Sequence, residues 1–265
     1  MISEKNKYVL NDVVLMRVFA IFLLVILHSF TIYGHSWSPP ASFKDIRFYW
    51  WIAHITSYAR LEILVFIPGY LMAYQANRNK LNLVFWNFTK KKATRLLLPC
   101  IFFSTIYMAL FFSKFSSLIP RIIYNSSAGH MWFLPMLFWT YLMGYVYIKR
   151  ERRIFTKKSY TMLFFAMLTI FSIIPLPFMI GSAFYYLFYF ILGVMMYRNK
   201  DIIIENFCCK KYICLLTAVF ICVFVPLTLF REKLSEISTT NIFEKGGVIL
   251  LLHYLRMVYA TIGLL

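Results

Sequence analysis

Residues 13–34 read VVLMRVFAIFLLVILHSFTIYG, an apolar stretch that is long enough to cross a bilayer as one helix. The stretch nevertheless contains Arg17 and His28, and polar side chains inside an apolar span are costly and usually functional. The two are eleven positions apart, and eleven steps of about 100° return a helix to within roughly 20° of its start. Both side chains are therefore predicted on one helix face, about 16 Å apart along the axis.

The composition of the whole chain is typical of a helical membrane protein. Of its 265 residues, 61% are hydrophobic and only 14% are charged, which is far from the norm for soluble domains. A formal net charge of +18 would suit nucleic acid, but the basic residues occur in short clusters between apolar runs. The predicted partner is therefore the lipid bilayer, and no nucleic acid is expected.

Eight apolar runs predict an all-α polytopic bundle of about eight transmembrane helices. Their ranges are roughly 13–34, 50–75, 94–113, 131–148, 161–177, 183–198, 212–230 and 247–265. Three runs are predicted to be interrupted by proline, at Pro68-Gly69, at Pro135, and at Pro175 with Pro177. Such breaks either line a cavity or are packing kinks. Residues 1–265 are predicted to form a single membrane domain, because no soluble segment separates the runs.

Lysine and arginine are divided unevenly between the two sets of loops. The N-terminus and loops 76–95, 149–159 and 198–211 hold 18 of these residues, whereas the alternate loops hold seven. Because positive charge is retained on the cytoplasmic side of a membrane, the N-terminus is predicted to be cytoplasmic. Arg17 then lies near the cytoplasmic surface and His28 near the outer surface.

Four motifs occur in order within residues 10–140. They are Arg17-VFAIFLLVIL-His28, FIPGYLMAY at 66–74, KKATRLLLP at 91–99 and GHMWFLPML at 129–137. Together they resemble the motifs of the membrane-bound acyltransferase 3 family, whose members O-acylate bacterial surface polysaccharides, peptidoglycan and related envelope glycans. The chain departs from the family pattern where Pro68 replaces a serine and Lys92 replaces the first arginine of a basic Arg-x-x-Arg segment.

The resemblance implies an integral-membrane O-acyltransferase of the bacterial inner membrane. The enzyme would move an acyl group, expected to be acetyl, from cytoplasmic acyl-CoA to a hydroxyl of an extracytoplasmic glycan such as exopolysaccharide, capsule or O-antigen. The expected partners are the bilayer, acyl-CoA, the glycan and the glycan-synthesis machinery. No bound cofactor or metal is expected, since the sequence has neither a Gly-rich phosphate loop nor a metal-ligand cluster. The family usually has about ten spans, so a shortened or C-terminally truncated member is expected.

The polar residues of the first span are assigned the central roles by the resemblance. An imidazole can remove a proton from a sugar hydroxyl, or carry the acyl group itself, and His28 is assigned this role. Arg17 suits the phosphates of coenzyme A, as do Lys92 and Arg95 at the start of span three. The structural alternatives are a His28 hydrogen bond to a neighbouring helix, a snorkelling Arg17, and cytoplasmic anchoring by Lys92 and Arg95.

Three further residues are candidates for the site. Glu62 lies inside span two, where it either orients His28 or neutralises Arg60 or Arg17. His130 and Trp132 open span four at the outer face, where a sugar ring would stack on the indole while the imidazole binds a hydroxyl. Placement in the interfacial aromatic belt is the alternative for Trp132.

Two other functions are compatible with the same sequence features. Broken helices and intramembrane charges also occur in transporters, so the chain is alternatively a non-enzymatic exporter of glycan or lipid-linked sugar. The smaller number of spans is compatible with an inactive, shortened family member. Consumption of acyl-CoA distinguishes an acyltransferase from both alternatives.

Overall fold

The structure is a computed structural model that describes most of residues 4–201. The described ranges are 4–34, 43–57, 60–78, 84–111, 129–154, 158–174 and 176–201, with isolated positions between 214 and 229. All regular secondary structure in these ranges is helical, as predicted. The predicted eighth span, 247–265, and most of the seventh, 212–230, lie outside the described residues.

Seven α-helices and two short 3₁₀ helices make up the described ranges up to residue 201. The α-helices are α1 Glu4–Ser29, α2 Arg47–Ser57, α3 Arg60–Asn77, α4 Phe85–Phe111, α5 Phe133–Ile154, α6 Lys158–Ile173 and α7 Ile180–Arg198. The 3₁₀ helices are Gly129–Trp132 and Pro177–Met179, which immediately precede α5 and α7. The helices follow the apolar runs of the sequence. Polar turn residues lie between these runs rather than within them, so each run can continue as a helix.

The predicted second span is divided into two helices, and its break is not at the predicted place. Helix α2 ends at Ser57 and α3 begins at Arg60, whereas Pro68 lies in the interior of α3. Pro135 does not break a helix either, because it is the third residue of α5. Backbone N–H groups in the first turn of a helix have no acceptor within the helix, so a proline there costs no helical hydrogen bond. The predicted interruption by proline is found only at the end of the fifth run, where α6 ends at Ile173, before Pro175 and Pro177.

The chain consists of two compact units, and the boundary falls inside α3. The first unit contains Met1–Ile67 and Asn199–Leu265, and the second contains Pro68–Arg198. In the first unit α1 packs on α2, and Gly34 lies against Ala53. A Cβ atom added to Gly34 would be 3.4 Å from the Cβ atom of Ala53. Four aromatic rings cover this contact, those of Phe30, Tyr33, Phe43 and Tyr49. The prediction of a single domain over residues 1–265 stays a prediction.

The core of the second unit is built around Phe190 of α7, which is completely buried. A Cβ atom on Gly69 of α3 would overlap the Phe190 carbonyl oxygen and lie 2.8 Å from the carbonyl carbon. A Cβ atom on Gly144 of α5 would lie 2.6 Å from the Phe190 ring. Two glycines therefore let α3 and α5 approach α7 closely, which is typical of helix packing in membranes. This close approach accounts for glycine at position 69, within a helix.

The ring and hydrogen-bond contacts of the second unit determine the relative directions of its helices. Gly69 lies at Phe190 and the Asn77 amide donates to the Tyr197 hydroxyl at 3.2 Å, so α3 and α7 run parallel there. Contacts of Trp132 with Tyr186 and of Gly144 with Phe190 make α5 parallel to α7 as well. By the same reasoning α4 is antiparallel to α5, and α6 is antiparallel to α7.

These directions collect basic side chains at one end of the second unit. The C-terminal ends of α3, α5 and α7 lie at the same end as the N-terminal part of α4. The basic residues found there are Arg78, Lys90, Lys91, Lys92, Arg95, Lys149, Arg150 and Arg198. We call this end the basic end. Its existence agrees with the uneven division of charge between loops in the sequence.

Large apolar side chains remain exposed along several helices. Leu15 is 70% exposed on α1 and Leu110 is 73% exposed on α4, and similar side chains continue along both helices. Exposed apolar surface of this extent marks a membrane or protein contact. Among the described residues, Phe85–Leu110 and Pro177–Arg198 are long and apolar enough to cross a membrane, judged by length and composition. The prediction of about eight spans is therefore not confirmed, because the other apolar helices are shorter or more polar.

Candidate functional site

Arg17 and His28 lie on one uninterrupted helix, α1, as the eleven-residue spacing predicts. Val13 and Ala20 mark the buried face of this helix. With about 100° per residue, Arg17 and His28 lie roughly 40° and 60° from Val13, at the edge of the buried face. Arg17 is exposed and His28 is half-buried. An exposed guanidinium and a half-buried imidazole therefore share one stripe of α1.

Glu62 is a buried carboxylate in the first turn of α3, where it is 3% exposed among apolar neighbours. The N-terminal end of a helix favours negative charge, which lowers the cost of burying this group. The proposed partner Arg60 is two residues away, a spacing that places side chains on different helix faces. The Arg60 guanidinium also donates to the carbonyl oxygen of Ser57.

The four cations at the start of α4 differ in their surroundings. Lys90, Lys91 and Arg95 are exposed, whereas Lys92 is only half-exposed. The Lys92 ammonium lies 3.4 Å from the centroid of the Tyr141 ring on α5 and 5.6 Å from that of Phe88. Lys92 is therefore turned toward α5, whereas Lys90, Lys91 and Arg95 point to the surface.

Lys92 belongs to a ladder of rings and lysines between α4 and α5. Tyr141, Tyr145 and Lys149 repeat every fourth residue and so share one face of α5. The ring of Phe88 lies 4.9 Å from that of Tyr145, and the Lys149 ammonium lies 5.8 Å from the same tyrosine. We call this set the aromatic–lysine ladder, and its members are Phe85, Phe88, Lys92, Tyr141, Tyr145 and Lys149. Sequence reasoning missed Tyr141, although its four-residue spacing from Tyr145 and Lys149 was a signal.

Trp132 lies at the end of the second unit opposite to the basic end. It closes the 3₁₀ helix Gly129–Trp132, is half-buried, and its ring centroid lies 6.2 Å from that of Tyr186. The Cys100 thiol donates to the backbone carbonyl of Met131 at 3.6 Å and so ties α4 to this turn. His130 is part of the same turn, but its side chain lies outside the described residues. Trp132 and Lys92 thus lie at opposite ends of the second unit, and their roles as acceptor and donor contacts stay predictions.

His54 on α2 is a second ordered imidazole of the first unit that sequence reasoning did not consider. Its ring stacks on Trp50 with centroids 3.8 Å apart, and Nδ1 lies 2.9 Å from the Trp50 carbonyl oxygen. The Arg47 guanidinium lies 4.0 Å from the centroid of the same indole. These contacts give His54 a packing role, and the signal for it was the Arg47-x-x-Trp50-x-x-x-His54 spacing.

The structure assigns the predicted site residues to both units. Arg17, His28 and Glu62 belong to the first unit, and Lys92, Arg95 and Trp132 belong to the second. Within the second unit, Lys92 and Arg95 share the basic end and Trp132 lies at the other. The individual roles of these residues stay predictions.

Comparison with known proteins gives one match. The family model of acyltransferase 3, described as an acyltransferase domain, matches residues 10–263. The match extends far beyond the four motifs, which end before residue 140, and it includes every candidate site residue. No curated protein and no solved structure matches the chain.

Proposed function

We propose, on the premise that the chain belongs to the membrane-bound acyltransferase 3 family, that it is an integral-membrane O-acyltransferase of the bacterial inner membrane. Membership confirms the family that the four motifs indicated. The enzyme would take an acyl group, acetyl in our proposal, from cytoplasmic acyl-CoA and transfer it to a hydroxyl of an extracytoplasmic glycan. Exopolysaccharide, capsule and O-antigen present such hydroxyls, and the glycan-synthesis machinery would supply them.

One observation carries the proposal, namely the placement of Arg17 and His28 along one edge of α1. Arginine stays charged and offers five donors to phosphate, and its exposure leaves it accessible to coenzyme A. The half-buried His28 is proposed to act as general base on the acceptor hydroxyl or as transient acyl carrier. Lys92 and Arg95 at the basic end are proposed as further ligands of the donor phosphates, and Trp132 and His130 as acceptor contacts.

Acyl transfer requires that the thioester bond breaks and an ester bond forms. In the direct route, His28 removes the proton of the glycan hydroxyl, and the oxygen attacks the thioester carbonyl. The products are the O-acyl glycan and free coenzyme A, whose sulfur receives the proton from the imidazolium. In the two-step route, a ring nitrogen of His28 attacks the thioester carbonyl, and coenzyme A leaves as the thiol with the imidazole N–H proton. The glycan hydroxyl then attacks the resulting acyl-imidazole, and its proton passes to the released ring nitrogen, which regenerates neutral His28.

The proposal predicts that the protein consumes acetyl-CoA in a glycan-dependent manner. The full chain in proteoliposomes, given acetyl-CoA on the N-terminal side and a glycan outside, is expected to release free thiol and to label the glycan from ¹⁴C-acetyl-CoA. Thiol release is measured with a chromogenic disulfide, and the glycan is analysed by NMR for O-acetyl groups. Glycan translocation without thiol release would contradict the proposal and support an exporter instead.

Glu62 is proposed to orient His28, because a carboxylate bonded to an imidazole determines its tautomer and stabilises the imidazolium. The burial of Glu62 and its spacing from Arg60 support this role over a pairing with Arg60. Glu62→Gln keeps the shape of the side chain but removes the charge, so kcat is expected to fall about 100-fold with KM for acetyl-CoA nearly unchanged.

The alternative for Glu62 is tested by Arg60→Ala as the matched control. If Glu62 served only to neutralise Arg60, removal of both charges would restore the activity that is lost in Glu62→Gln. Restored activity in the Glu62→Gln, Arg60→Ala double variant would therefore contradict an orienting role.

A further inference from the structure

We propose that Tyr141 is a positioning residue for Lys92, whose ammonium it holds between α4 and α5 in the orientation that receives a phosphate group of the donor. The inference rests on the proposed function, because it takes acyl-CoA as the phosphate-bearing ligand. Its structural basis is the placement of the Lys92 ammonium 3.4 Å from the Tyr141 ring centroid. Tyr141 thus acts through Lys92.

The geometry distinguishes Lys92 from the cations next to it. Lys90 and Lys91 are exposed on the same helix turn, and no ring contact is recorded for either among the described residues. Lys92 is half-buried, with Tyr141 on one side and Phe88 one helical turn before it. An ammonium this close to a ring face is held by the negative potential of the π system. The contact therefore selects one side-chain conformation of Lys92 out of the many that a flexible lysine adopts.

Such ordering is useful for binding a phosphate. A lysine ammonium is a compact charge with three N–H donors on a flexible stem, and fixing that stem normally costs affinity for the ligand. When the ring has already fixed the stem, that cost is removed from the binding step. The N–H groups directed away from the ring then remain for phosphate oxygens. Replacing the ring should consequently weaken donor binding without changing the chemical step.

Tyr145 provides an internal comparison on the same helix face. Its ring lies one turn after Tyr141, but the Lys149 ammonium is 5.8 Å from its centroid. This distance is near the limit for a favourable cation–π contact. Tyr141 therefore makes the shorter of the two lysine contacts in the aromatic–lysine ladder.

The first test measures the position of Lys92 without any donor. The full chain in detergent is reductively methylated with formaldehyde for a short time, and the modification of each lysine is quantified by mass spectrometry. Tyr141→Leu is expected to raise the methylation of Lys92 severalfold, toward that of Lys90 and Lys91. Tyr141→Phe keeps the ring and is expected to leave it unchanged. Equal protection of Lys92 in Tyr141→Leu would overturn the inference and leave the proposed function untouched.

The second test measures the consequence for the donor. Tyr141→Leu is expected to raise KM for acetyl-CoA about 10-fold with kcat nearly unchanged. Tyr141→Phe, which keeps the ring, is expected to keep the parental KM. In a Lys92→Ala background Tyr141→Leu is expected to have no further effect on KM. The matched control is Tyr147→Leu, which removes a buried tyrosine of α5 whose ring stacks on Phe164 of α6. This change is expected to lower stability without raising KM.

The outcomes separate the two claims. A KM effect of Tyr141→Leu that persists in full without Lys92 would overturn the positioning role, as would the same KM rise in Tyr147→Leu. An unchanged KM in Lys92→Ala, in a protein that still transfers acetyl groups, would also overturn it while the proposed function stands. If the parental protein neither binds nor consumes acetyl-CoA, the proposed function fails, and the donor role of the pair fails with it.

Discussion

His28→Ala is expected to abolish glycan acylation, with a fall in kcat of about 10²–10⁴-fold if the imidazole is a general base. The loss is expected to be complete if the imidazole carries the acyl group, since no other described group is proposed to replace it. The physical reason is that a sugar hydroxyl is a poor nucleophile until its proton is removed. The measurement is O-acetyl content by NMR in cells and in proteoliposomes that contain the variant.

His54→Ala is the matched control for this prediction. It removes the other imidazole described in the first unit, one whose ring packs on Trp50 and whose Nδ1 faces a backbone carbonyl. Transfer in His54→Ala is expected to stay within a few-fold of the parental rate after correction for the amount of folded protein. Parental acylation by the His28→Ala protein would rule out both proposed roles of His28.

Incubation with the donor alone separates the two roles of His28. A carrier accumulates an acyl group on His28 when the glycan is absent, which raises the mass of the peptide that contains it. A general base does not accumulate this group. The same incubation of His28→Ala provides the blank, because any acyl group found there is bound elsewhere.

Gly69→Ala is expected to destabilise the second unit strongly, and Gly69→Val to prevent its folding. The new methyl group would overlap the backbone carbonyl of Phe190, and backbone atoms at the contact of two helices move only if the helices separate. Overpacking of this kind costs about 1–3 kcal/mol and more where relaxation is blocked. The measurement is the unfolding temperature in detergent, followed by tryptophan fluorescence.

The sign of this effect distinguishes packing from intrinsic helix preference. Glycine in a helix interior is about 1 kcal/mol less favourable than alanine, so Gly69→Ala would stabilise α3 if no contact opposed it. Gly34→Ala in the first unit is the matched control, because its Cβ atom would meet Ala53 at an ordinary distance of 3.4 Å. An unfolding temperature of Gly69→Ala at or above the parental value would contradict the close approach of α3 and α7.

Features that depend on local sequence were predicted correctly. The helices follow the apolar runs, because side-chain periodicity and the absence of turn residues act over a few neighbouring positions. The shared face of Arg17 and His28 followed from the helical repeat alone once α1 was continuous. The membership of the family was predicted from four motifs and is confirmed by the match over residues 10–263.

Features that depend on contacts between distant residues were predicted wrongly or missed. The break in the second span was placed at Pro68, but α3 continues through this residue, and the adjacent Gly69 packs closely on Phe190 of a helix far along the chain. Lys92 was grouped with Arg95 as an equivalent cation, although only Lys92 turns toward a ring on α5. Tyr141 was not considered at all.

The sequence by itself thus determined the helical class, the family, the stripe of Arg17 and His28, and the uneven distribution of charge. Each of these depends on residue type and on spacing along one element. Only the tertiary structure decided where the helices break, which of four neighbouring cations points inward, and which residue of another helix holds it there. The physical reason is that side-chain orientation and close helix approach depend on the partner surface. In these contacts the partner residue lies 49 to 121 positions away in the chain.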